Sequence, residues 1–123
     1  MALSLSRLDI NISLYDINPL SNIINRSRTY ALTHSTKNLL KELDLWDKFQ
    51  PHLVSFTSLI IQDTVTNRKA TLNLLDLSLD NRVDNSIGWI IEHRILMQLL
   101  VNELINSDNI NFICKQNFLR NIL

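Results

Sequence analysis

Glycine is almost missing from this chain. It occurs once, at Gly88, in 123 residues, where a globular domain ordinarily carries about 7%. A loop that cradles phosphate needs several glycines close together. Residues 1–123 therefore hold neither a P-loop nor a dinucleotide-binding G-x-G-x-x-G turn. Proline is nearly as scarce, at Pro19 and Pro51, while asparagine is abundant, so asparagine takes many of the turn positions that glycine normally fills. The single cysteine, Cys114, excludes an internal disulfide and a cysteine-based metal cluster. Neither charge is in excess: 12 Lys+Arg against 12 Asp+Glu gives a formal net charge of zero. The basic surplus of a nucleic-acid-binding domain is thus lacking. No apolar run approaches the roughly 20 residues that cross a bilayer. The opening MALSLSRLDINISLYD also lacks the basic start, long apolar stretch and cleavage site of a secretory leader. The expectation is a cytoplasmic protein with no nucleic-acid partner.

What is present is a core. A hydrophobic fraction of 46% is ample for one domain of ordinary size and rules out a disordered tail. Residues 1–8 read as a short helix through Ala2, Leu3, Leu5 and Leu8. Ile10, Ile12 and Leu14 then alternate with Asn11 and Ser13, which predicts a strand ending at Tyr15 and Asp16. Residues 17–30 read as a polar loop. A helix follows from Thr33, with Ser35 as its N-cap and Leu39, Leu40 and Leu43 on its apolar face. Asp44 interrupts it, and a second helical turn through Leu45, Trp46 and Phe49 stops at Pro51.

Residues 54–63 predict a strand that pairs through a turn at Asn67 with a second strand over 70–75. After a polar stretch at 76–86, a short strand over Trp89–Ile91 leads into the clearest helix, roughly 92–106. Its apolar positions include Ile95, Leu96, Leu99, Leu100 and Leu104, near helical period. A strand over Ile110–Ile113 closes the pattern, and residues 114–123 are left between a helical turn and a frayed end. Strands and helices alternate, interrupted by one antiparallel hairpin, so the fold class is α/β.

Few side chains carry a chemical signal. Asp16, at the carboxyl end of a strand, is placed to accept both ribose hydroxyls of an adenosine; alternatively it is a solvated turn residue before Asn18 and Pro19. Arg28 presents a forked donor suited to phosphate, with Arg26 in competition. Arg94 opens the long helix, where a cation gains nothing from the dipole, so ligand contact or a salt bridge must account for it. Backbone N–H groups at Glu92 and His93 could meet an anion there. His34, His52 and His93 have no metal-ligand spacing, and no metal is expected. Trp46, Phe49 and Trp89 read as core, and Cys114 as a buried thiol.

Three segments, INISLYD (10–16), SRTYALTHSTKNLLKELDLWDKF (27–49) and GWIIEHRILMQLLVNEL (88–104), carry a family likeness in that order. The chain resembles the N-terminal part of the flavin-dependent aromatic hydroxylases, in particular their ubiquinone-biosynthesis (UbiH-like) monooxygenases. The resemblance implies a partial FAD-binding, Rossmann-like domain over residues 1–123, truncated at both ends. The first strand and glycine-rich turn would precede Met1.

The resemblance further implies an FAD cofactor, NAD(P)H as reductant, dioxygen, and hydroxylation of a small aromatic substrate. It assigns cofactor contacts to Asp16, Arg28 and Arg94 and no catalytic side chain, since the flavin performs the chemistry. Peripheral membrane association and a homo-oligomer stay open. So do two other readings: a different flavin or nicotinamide oxidoreductase, and a non-catalytic α/β scaffold that binds no flavin.

Overall fold

A computed structural model describes residues 1–73 and 85–114. It is mixed α/β, with one parallel strand pair and two antiparallel sheets. The parallel pair joins β1 (Ile12–Asp16) to β7 (Ile110–Cys114), in register from Ile12 opposite Ile110 to Asp16 opposite Cys114. Along β1, half-buried Ile12, Leu14 and Asp16 alternate with exposed Ser13 and Tyr15, as a period of two requires. The expected first helix is a single turn, α1 (Ala2–Leu5). The loop after it is held by the Asn109 side-chain amide, which donates to the carbonyls of Ser6 at 2.8 Å and Ile10 at 3.0 Å.

Residues 17–30 are more ordered than their polarity implied. They contain α2 (Leu20–Ile24), which starts after Pro19, and the beginning of β2 (Thr29–Leu32). Ala31 and Leu32 are therefore strand, and the helix α3 begins only at His34. Its cap is Thr33, whose hydroxyl accepts from the Thr36 N–H at 3.4 Å, so Ser35 lies inside the first turn. The helix ends at Glu42 in a Schellman arrangement. Leu45 N–H bonds the Leu40 carbonyl at 2.8 Å, and Asp44 N–H bonds that of Lys41 at 3.0 Å. Asp44 holds φ 57°, the left-handed position usually filled by glycine.

The stretch read as one strand over 54–63 is two. β3 (Val54–Phe56) joins β6 (Gly88–Glu92) in a sheet of order β2–β6–β3, while β4 (Ser58–Gln62) pairs with β5 (Lys69–Asn73). Thr57 lies in neither strand. The turn between β4 and β5 has Asn67 at φ 53°, again a glycine role. The predicted continuation of that strand to 75 and the tail from 115 lie outside the described residues.

β6 (Gly88–Glu92) is the central strand of its sheet. Its one glycine is required by close approach: a Cβ at Gly88 would meet the Leu32 carbonyl oxygen at 2.5 Å and the Phe56 ring at 3.0 Å. One face of this sheet packs on α3, α4 (Trp46–Phe49) and α5 (His93–Ile105). The core there is Leu32, Leu40, Leu45, Trp46, Phe49, Trp89 and Ile91. Trp46 and Trp89 meet edge to face at 5.1 Å, and the Lys37 ammonium lies 5.0 Å and 5.1 Å from their ring centres. That contact accounts for a lysine buried among aromatics. The aromatic residues are core, as expected, and Cys114 is a buried thiol at the end of β7.

Candidate functional site

β6 runs into α5 without a connecting residue, Glu92 being the last of the strand and His93 the first of the helix. The alternation of the strand continues across this junction: Ile91 and His93 are buried, Glu92 and Arg94 exposed. Opposite lies the start of β2, where Thr29 pairs with Glu92. One position further, the His93 N–H donates to the Arg28 carbonyl at 2.8 Å and extends the ladder past the end of the sheet. Two arginines distant in sequence, Arg28 and Arg94, thereby come to one place.

They line an open groove of about 440 Å³ with Arg26, Ser27, Thr29 and Glu92. Arg26 is partly committed, since its Nε donates to the Asn22 carbonyl at 3.3 Å. Among the described residues neither Arg28 nor Arg94 forms an ion pair. The salt bridge that would have explained Arg94 without a ligand is thus not formed within the described residues. Three guanidinium groups against one carboxylate make the groove locally cationic. Forked donors of this kind suit phosphate or carboxylate oxygens.

The backbone N–H of His93 is spent on Arg28. This corrects the expectation that it meets an anion. The His93 side chain, which the sequence did not single out, is the best-connected group near the groove. Its Nε2 lies 2.6 Å from the Ile23 carbonyl oxygen and its Nδ1 2.8 Å from the Tyr30 hydroxyl. A carbonyl only accepts, so Nε2 carries the proton and, in the neutral ring, Tyr30 donates to Nδ1. The signal for it in the sequence is the strand alternation, which runs past Glu92 and buries Ile91 and His93 together.

Asp16 stands apart from the arginine groove, at the carboxyl end of the parallel pair. Its Oδ1 accepts from the Asn18 backbone N–H at 2.8 Å and side-chain amide at 2.9 Å. Oδ2 has no partner among the described residues. The turn and acceptor readings of Asp16 are therefore compatible, one oxygen serving each. His34 bonds the Ser86 carbonyl at 2.8 Å and His52 lies in a 3-10 turn, so the histidines serve separate parts of the fold. No helix of the described residues is long and apolar enough to cross a membrane.

The sequence matches no protein-family model and no curated protein. The fold matches the flavin-dependent monooxygenase PieE, solved in complex with FAD and substrate, with a TM-score of 0.69 and 15% identity. The match covers 93% of this chain and 21% of that one. The chain thus has the α/β fold of part of a flavin-dependent monooxygenase and spans about a fifth of that enzyme's length.

Proposed function

We propose that this chain is part of the cofactor-binding region of an FAD-dependent monooxygenase. The observation that carries the reading is the convergence on one groove of Arg28 and Arg94, which form no ion pair among the described residues, in a fold shared with an FAD-bound enzyme. Arg28 and Arg94 would hold anionic or carbonyl oxygens of the cofactor, with Arg26 adding positive potential. Asp16 would accept from the adenosine ribose through Oδ2. When bound and reduced by NAD(P)H, the flavin supplies activation of dioxygen for transfer to an aromatic ring. The protein's own part is to bind and orient. The sequence likeness to ubiquinone-biosynthesis hydroxylases makes a phenolic quinone precursor the substrate class of choice.

The test is a flavin titration of the purified chain by absorbance and fluorescence. Saturable binding that weakens about tenfold or more in Arg28→Ala and Arg94→Ala, the loss of a charged hydrogen bond, is the expected result. A smaller loss is expected for Asp16→Ala. A folded chain that leaves FAD free in solution would sink the reading. The non-catalytic alternative draws on the exposed hairpin β4–β5, whose apolar side chains suit a partner surface.

A further inference from the structure

We infer that His93 is the positioning residue of the arginine groove, fixing Arg28 and Arg94 at a set separation through three hydrogen bonds. The inference deepens the cofactor reading and rests on it for its ligand, whereas its geometry involves only this chain. Three contacts carry it. The Nε2–H reaches the Ile23 carbonyl, at the end of α2; Nδ1 meets the Tyr30 hydroxyl, on β2; and the backbone N–H holds the Arg28 carbonyl.

Residues 25–28 are the connection between α2 and β2. One residue thus grips that connection before it, after it and within it. The next residue in the chain is Arg94. A displacement of the imidazole would move both arginines relative to each other.

The burial supports this role. His93 is 4% exposed, while Arg26, Ser27, Arg28, Thr29, Glu92 and Arg94 above it are all exposed. Long exposed side chains on a short connection have little packing to hold them. Their backbone origins must be fixed from below if a rigid ligand is to meet both forks. Both ring nitrogens are satisfied by fixed partners, which selects a single tautomer and a single ring orientation. Tyr30 and His93 also touch ring to ring, with centres 5.7 Å apart.

The experiment has a ligand-free arm and a ligand arm. In nitrogen-labelled protein, the His93 ring should show its proton on Nε2. Tyr30→Phe, which removes one hydroxyl, and His93→Gln should both shift the Nε–H resonances of Arg28 and Arg94. His34→Gln, on a separate hydrogen bond, should leave them in place. Arginine resonances unmoved in both folded variants, or moved equally by His34→Gln, would overturn the inference whatever the ligand.

In the second arm, FAD and inorganic diphosphate are titrated into the same proteins. His93→Gln should weaken binding about tenfold, within the range that coupling between neighbours reaches, yet add little once Arg28 is already alanine. Full additivity of the two substitutions would mean a merely structural histidine and would also overturn the inference. Wild-type protein that binds neither ligand, with the resonance shifts as expected, defeats the flavin reading and leaves the positioning role standing.

Discussion

Two strands of this molecule have nearly the same apolar pattern and opposite fates. β6 is GWIIE and β4 is SLIIQ, each with a paired isoleucine between a large apolar residue and a polar end. In β6, Ile91 is 1% exposed, whereas every residue of β4 is exposed and Ile60 reaches 64%. β6 has a strand on each side and helices over one face; among the described residues β4 has a single partner, β5. Hydrophobic composition thus sets what a strand can bury, and its neighbours set what it does bury. A two-stranded hairpin alone is marginal in water, so β4–β5 draws little from its own isoleucines.

Stability should expose this contrast most strongly. Phe49 is 0% exposed under the β6 sheet, and Phe49→Ala is expected to cost about 3–5 kcal/mol. Ile60→Ala in β4 should change stability by less than about 0.5 kcal/mol. Urea unfolding of both variants checks the pair, and comparable losses would mean that the hairpin is buried in solution. Next in size is Gly88→Ala, where the new methyl runs into the backbone oxygen of Leu32. Overpacking of this kind costs about 1–3 kcal/mol, readable in the same melt. An unchanged midpoint would show that β2 and β6 can separate without penalty.

The smallest effect belongs to the hairpin turn. The Thr66 hydroxyl, and then the Val65 N–H, hold the Asp63 carboxyl below its ordinary value of 3.8. A depressed carboxylate stabilises the folded turn above its unfolded value, and that contribution fades as pH falls through the lower folded value. Asp63 is fully exposed, so the change should be local. The protection of the Val65 amide, taken relative to its intrinsic exchange rate at each pH, should fall on acidification, and Asp63→Asn should remove that pH dependence of the protection. An exchange profile that is the same in both proteins would show that the carboxylate does not hold the turn.

The arginine site was half legible. Arg28 and Arg94 were singled out one at a time, by side-chain chemistry and family resemblance, and the fold brings them together through the β2–β6 pairing. What escaped was the support beneath them. His93 carries no spacing signal with Tyr30 or Ile23, because its partners lie 63 and 70 residues away. Asp16 was placed at its strand end but not in the arginine groove, since β1 belongs to a different sheet.

Local pattern alone determined much of the rest. Period two gave β1, helical period gave α5, and the scarcity of glycine put Asn67 at a left-handed turn. Those features depend on interactions within a few residues, where backbone sterics and side-chain spacing act directly. Tertiary structure alone decided that residues 54–62 divide at Thr57 between two sheets, that Trp89 and Ile91 of GWIIE are buried while all of SLIIQ is exposed, and that Arg28 meets Arg94. Each of those outcomes depends on which distant strand supplies the hydrogen bonds and which helix covers the face, and a strand's own residues do not specify its neighbours.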